Sequence, residues 1–270
     1  MIRDVTLGQF FPGNSHLHRL DPRMKVVLLI ASIVIIFCTF NYVSLALTTL
    51  FVIAVVLMSG VPFKLYLKSL KMIIFIVIFT SVLNLFYGAG EPLWQFGFLK
   101  ITADGIKNSV FVSVRIISLI LISSSLTFTT SPTDLTDALE RLMKPLKIFH
   151  IHVGEIAMMM TIALRFIPTL LEETDKIMQA QKARGADMES GGFMQRVKAL
   201  IPILIPLFVS AFRRAYELAT AMECRCYQGG DGRTRMKKLT LCAHDFMCMA
   251  AVIILIAAVI LCNIFLTNLI

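Results

Sequence analysis

Charge is what this 270-residue chain has least of. Charged residues make up 16% of it and hydrophobic ones 57%, whereas a soluble domain carries about 25% charged residues and about 45–50% apolar ones. That balance excludes an ordinary soluble domain and points to a bilayer. Cysteine is present without a disulfide framework. Cys38, Cys248 and Cys262 fall in apolar runs, where a thiol behaves as a small hydrophobe. Cys224-x-Cys226 lacks the second pair that a zinc site needs. There is no GxxxxGK(S/T) loop to cradle a nucleotide, so the chain is not read as an ATPase. No small-residue cleavage site follows the first apolar run, so no cleavable signal is expected.

Five apolar runs are present: 26–40, 43–58, 73–87, 110–128 and 246–270. Asp, Glu and His are absent from all five, which leaves a membrane-embedded enzyme without a base, a nucleophile pair or an acidic metal cluster. A span needs roughly 17–25 helical residues, so the shorter runs must extend into their flanks. The last, Phe246 to Ile270, carries no charge over 25 residues. Arg115 is the one charge in the fourth run and is either functional or snorkelling.

Basic residues set the orientation. Arg3, Arg19, Arg23 and Lys25 precede the first run, and Lys64, Lys68 and Lys71 follow the second; 41–42 has none, and Gly88–Lys107, around a hairpin-like Trp94–Phe98, has two. The N-terminus is therefore expected in the cytoplasm. Residues 1–129 form a membrane part with four spans, 130–240 a cytoplasmic module, and 246–270 a C-terminal transmembrane helix. Residues 130–245 hold 16 of the 26 basic residues but also 13 acidic ones. That is a mixed solvated surface, not a nucleic-acid footprint.

The module reads as amphipathic helices. Ser131-Pro-Thr-Asp134 supplies an N-cap, a proline at the first helical position and an acid at the third. Pro145 should bend or end that helix. A second helix is predicted from about Val153 to Ala183, its apolar first half lying along the cytoplasmic face of the membrane. A third, from about Phe193 to Cys224, carries an apolar stripe that includes Leu200, Leu204, Phe208, Ala211, Phe212 and Ala215. Pro202 and Pro206 are expected to bend or break its early part.

The second and third helices end alike. Gln181-Lys-Ala-Arg-Gly-Ala-Asp187 is echoed 41 positions on by Met222-Glu-Cys-Arg-Cys-Tyr-Gln-Gly-Gly230. Each puts an arginine between small residues at a helix stop: Arg184 between Ala183 and Gly185, and Arg225 between Cys224 and Cys226. Small flanks leave the guanidinium uncrowded, so its rigid five-donor fork can meet a partner's carboxylates and carbonyls. The plainer reading is a cation complementing a helix dipole. The pairs His16/His18 and His150/His152 have no evident third ligand, so no metal is expected. Gly229-Gly-Asp-Gly232 reads as a turn.

The chain resembles the transmembrane T component of energy-coupling-factor transporters, ATP-driven importers of vitamins and micronutrients. The resemblance covers essentially all of it. It is carried by Pro12-Gly-x-Ser15, Leu17-His-Arg-Leu-Asp-Pro-Arg23, Ser131-Pro-Thr-Asp-Leu135, Ile162-Ala-Leu-Arg-Phe-Ile-Pro168, Ala183-Arg-Gly-Ala-Asp187 and Ala221-Met-Glu-Cys-Arg225. It implies an all-α integral membrane protein, L-shaped, with about five transmembrane helices and long cytoplasmic coupling helices. It implies a non-catalytic coupling subunit without cofactor in the cell membrane of a prokaryote. Its partners would be two ABC-type ATPases, docked by the two small-Arg-small motifs, and a membrane-embedded substrate-binding S component gripped by the apolar stripe. Cys224-Arg225-Cys226 departs from the usual motif, which puts the local helix ending in question. The competing function is a secondary transporter working without ATPases. It would want paired charges or broken helices at the membrane midplane, and Arg115 is all the runs offer.

Overall fold

The computed structural model describes residues 10–86, 92–96, 99–185, 192–229 and 240–267. Their regular structure is helical apart from one 3₁₀ segment and one short hairpin. The helices are α1 (His16–Arg19), α2 (Pro22–Phe37), α3 (Tyr42–Met58), α4 (Phe63–Phe86), α5 (Ala103–Thr129), α6 (Pro132–Leu142), α7 (Val153–Ala183), α8 (Phe193–Glu223) and α9 (Ala243–Thr267). Strands β1 (Pro92–Phe96) and β2 (Leu99–Thr102) pair antiparallel before α5. The chain divides into two compact units, one of residues 8–138 with 237–270 and one centred on 139–236.

The first unit is a bundle. The long α5 packs on α4, α3 and α2, and α9 packs on α2 and α3. Its core forms where these surfaces meet. Ile35 of α2 packs with Val252, Leu255 and Val259 of α9, and Ile36, Val52 and Ile122 join α2, α3 and α5. Tyr66 is fully buried, edge-on to Phe128 at 5.2 Å, and its hydroxyl donates to Ser59 Oγ at 3.0 Å. Small residues let the helices approach closely, as membrane bundles require. A Cβ on Gly105 would lie 2.5 Å from the Leu85 carbonyl oxygen of α4.

The Leu17–Arg23 motif is explained here. Asp21 caps α2 by accepting the Arg23 N–H at 2.9 Å, and Pro22 takes the first helical position, where its missing N–H costs nothing. The Arg23 guanidinium folds back onto the same carboxylate at 2.6 Å. Lys25 Nζ donates to the Thr129 carbonyl at 2.9 Å, tying α2 to the end of α5. Asp245 accepts the N–H groups of Asp21 (3.0 Å) and Cys242 (2.7 Å), so one carboxylate caps α9 and binds it to α2. Both nitrogens of the His18 ring are engaged, by Ser15 Oγ at 2.6 Å and the Phe11 carbonyl at 2.9 Å. At the far end of α2, Arg115 donates to the Thr39 carbonyl and stacks 4.8 Å over Phe111. Asn263 of α9 donates to the Cys38 carbonyl at 2.8 Å. Arg115 thus satisfies a backbone carbonyl of the turn just past α2.

Five described helices are long and apolar enough to cross a membrane: Phe63–Phe86, Ala103–Thr129, Val153–Ala183, Val197–Glu223 and Ala243–Phe265. Five is also the number of spans read from the sequence, while this set includes α7 and most of α8 and not α2 or α3. α2 and α3, read as the first two spans, are 16 and 17 residues long, or about 24–26 Å against a hydrocarbon core of about 30 Å. α4 begins ten residues ahead of its apolar run. Lys64, Lys68 and Lys71, read as loop, lie on its opening turns. From Met72 onward α4 packs one face on α5 and exposes apolar side chains elsewhere, including Phe75 and Phe79, as a lipid-facing helix does.

In the second unit, α6 ends at Leu142 and a 3₁₀ turn runs from Lys144, with Pro145 in it, to Phe149. The Ser131 cap at the start of α6, which belongs to the first unit, is formed: its Oγ accepts the Asp134 N–H at 3.1 Å and donates to the Asp134 carboxylate at 2.8 Å. α7 and α8, 31 residues each, pack against each other. Of the bend or break expected at Pro202 and Pro206, the break does not occur; α8 is continuous from Phe193 to Glu223. Pro206 has no N–H to give the carbonyl of Pro202, four residues back. Gln181 of α7 supplies a substitute, donating its Nε2 to that oxygen at 3.4 Å.

Candidate functional site: two arginine-tipped helix ends

The arginine-tipped ends of α7 and α8 are the site that the sequence singles out, and the structure places both arginines in one local geometry. Arg184 is the C-cap of α7, its N–H donating to Ala180 O at 3.2 Å and Gln181 O at 3.1 Å. Gly185 follows at φ +86°, with its N–H on Lys182 O at 3.0 Å. Arg225 holds the same place after α8, with Cys226 following at φ +52°. Cys226 N–H donates to Glu223 O at 2.8 Å and Tyr227 N–H to Met222 O at 3.1 Å. Those two bonds are the five-to-two and six-to-one pair of a Schellman stop.

The helix ending left in question by the missing glycine is therefore intact. Cys226 adopts the left-handed conformation that Gly185 adopts in the first motif, at a cost of about 1–2 kcal/mol for a residue with a Cβ. Ala183, Arg184, Gly185, Cys224, Arg225 and Cys226 are all exposed. No group lies within 4 Å of a Cβ built on Gly185. Neither guanidinium hydrogen-bonds to a described residue. Ala186 and Asp187 of the first motif, and Gly230–Gly232 of the turn after the second, lie outside the described residues.

The two tips point away from each other. Glu173 of α7 accepts the Ser210 hydroxyl and the Arg214 guanidinium of α8, the latter at 3.1 Å. Gln181 reaches back to Pro202. Moving forward along α7 means moving backward along α8, so the pair is antiparallel. Arg184 then lies at one end and Arg225 at the other, on the order of 35 Å apart along the pair. The Ser210 hydrogen bond, with Arg214 and Lys176 close by, holds the Glu173 carboxyl below its usual range.

Along α8, Leu200, Leu204, Phe208, Phe212 and Ala215 are exposed, while Ala211 is half-buried. The Phe208 and Phe212 rings meet at a tilt of 59°, their centroids 4.9 Å apart. Ile203 is 4% exposed, with Leu207, Ser210 and Arg214 half-buried along one face. The outward apolar stripe is thus a free face within the described chain.

Two groups with evident positions escaped the sequence reading. Asp245 carried a signal, an acid three residues after the N-cap of a charge-free run. The Glu173–Arg214 pair carried a weaker one, since the two residues are themselves 41 positions apart, like the two arginines.

A family model described as cobalt transport protein, CbiQ, matches residues 13–236. A protein of Ruminiclostridium cellulolyticum is 52% identical over 261 residues, covering 97% of this chain and 98% of that one. A protein of Clostridium kluyveri is 48% identical over 266 residues, covering 98% of each chain. One of Bacillus subtilis is 48% identical over 258 residues, covering 95% of this chain and 97% of that one. All three relatives are energy-coupling factor transporter transmembrane proteins, EcfT.

Proposed function

This chain belongs to the CbiQ family, among the transmembrane proteins of energy-coupling-factor transporters, and from that membership we propose that it couples ATP hydrolysis on partner subunits to substrate uptake. It is a multi-pass membrane subunit of a transporter. In the proposed mechanism two ABC-type ATPases sit in the cytoplasm with the N-terminus of this chain, in a prokaryotic cell membrane. Arg184 enters a socket on one and Arg225 a socket on the other. The outward stripe of α8 grips a membrane-embedded S component, which alone selects the vitamin or micronutrient. Nucleotide binding closes the ATPases and moves the sockets. α7 and α8 follow because their tips are held, and the S component tilts with the stripe.

One observation carries this reading: two arginines in the same C-cap geometry, exposed at opposite ends of a cross-linked helix pair. A dipole-complementing cation explains either one alone, but not their matched setting. A guanidinium socketed on a carboxylate or carbonyl cluster gives an interaction whose truncation costs about 2–5 kcal/mol. The test is co-expression with the two ATPases and capture on this subunit. Wild type should retain both ATPases, and the Arg184→Glu/Arg225→Glu double variant should lose them at unchanged membrane levels. Equal recovery with the variant would reduce the arginines to helix caps.

A further inference from the structure

We propose that Glu173 is a positioning residue, the pivot at which α7 and α8 are pinned as two levers of equal arm. The inference rests on the coupling reading above and deepens it. Glu173 stands 11 residues before Arg184, and Arg214 stands 11 residues before Arg225. Both segments are unbroken helix to within one residue of the arginine. Each arm is therefore about 16 Å long. Eleven residues is also about 20° past three full turns, so each arginine leaves its helix near the face that carries the pivot group.

Within the packed α7–α8 pair this contact adds a polar joint. One carboxylate receives two donors from α8, the Ser210 hydroxyl on Oε1 and Arg214 on Oε2 at 3.1 Å. Ser210 and Arg214 are one helical turn apart, so both reach it from the same face. Beyond the joint, only Gln181 and Pro202 hydrogen-bond the two helices among the described residues, and that contact is a single neutral one at 3.4 Å. A joint of directional polar bonds keeps its two anchor points together while the crossing angle changes. With equal arms, a rotation at the joint displaces both tips equally. Two sockets that move by equal amounts as the ATPases close demand that motion.

The pivot makes a prediction that the sockets do not. In proteoliposomes holding the four-subunit transporter, the variants Glu173→Ala and Glu173→Gln retain both ATPases, since neither arginine tip is touched. Their thermal unfolding stays close to wild type because the pair is partly exposed. Substrate moved per ATP hydrolysed falls by about 2- to 30-fold, the range expected when a coupling element is disturbed. The Glu173→Arg/Arg214→Glu double variant restores the ratio in part, with the Ser210 hydroxyl now accepting from the arginine on α7. An unchanged transport-to-hydrolysis ratio in Glu173→Ala, with the complex intact, overturns the pivot. So does an exchange variant as poorly coupled as the alanine one. Loss of the ATPases from wild type overturns the coupling reading itself, which separates the two failures.

Discussion

The second arginine motif offers a sharp test of the helix-end geometry, because Cys226 occupies a position where glycine is cheaper. Cys226→Gly removes the left-handed penalty of about 1–2 kcal/mol, offset by about 0.4–1 kcal/mol of extra freedom in the unfolded chain. The net is a gain of about 0.5–1 kcal/mol. Gly185→Ala reverses the argument at the first motif. At φ +86° with open space around the new Cβ, the loss is conformational alone and of similar size. The amides of Cys226 and Tyr227 report the first change, since they donate to Glu223 and Met222 across the stop. The Gly185 amide, bonded to Lys182 O, reports the second. Hydrogen exchange in detergent-solubilised protein should slow by about two- to fivefold in Cys226→Gly and quicken by a similar factor in Gly185→Ala. Faster exchange in Cys226→Gly, or no response in Gly185→Ala, would refute the claim that both arginines sit on left-handed stops.

Other expectations concern the polar joints. Asp245 is 1% exposed and accepts two backbone N–H groups, so Asp245→Ala should destabilise the bundle by about 2–4 kcal/mol. A thermal melt in detergent measures this, and an unchanged midpoint would remove Asp245 from the tie between α2 and α9. The Glu173 carboxyl is held below its usual range by Ser210, with Arg214 and Lys176 adding to it. Its folded pKa is lowered, so its stabilisation is complete above the ordinary carboxylate value of about 4.3 and is lost as pH falls through the lowered one. Protease sensitivity of α7 and α8 should stay flat from pH 8 to 5 and rise only in stronger acid. Glu173→Gln should abolish that dependence.

What the sequence made legible was local. α7 was read from Val153 to Ala183 because an apolar half followed by a polar half runs to a glycine stop, and the Ser131 cap because its three-residue spacing is a backbone requirement. What it hid was tertiary. The opening of α4 looked like loop because three lysines punctuate it, yet Lys64, Lys68 and Lys71 fall at helical spacing. Pro202 and Pro206 looked like breakers because the group that satisfies the orphaned carbonyl, Gln181, lies on another helix. Arg115 was ambiguous for the same reason: its acceptor, the Thr39 carbonyl, is 76 residues away in the chain. The candidate site was legible as a pair of matching words, but its equivalence was not. That needed the backbone angle at Cys226, which composition disfavours and the Schellman bonds impose.

The most direct measurement is photo-crosslinking from the tips in native membranes. A benzophenone amino acid placed at Ala183, and separately at Cys224, should capture an ATPase subunit, the two positions marking different copies or different subunits. The same probe at Phe75, on the apolar surface of α4, should capture neither. Capture at both tips and not at Phe75 is the result predicted here. Tips that label only lipid, or that label the ATPases no better than Phe75 does, would contradict the two-socket account.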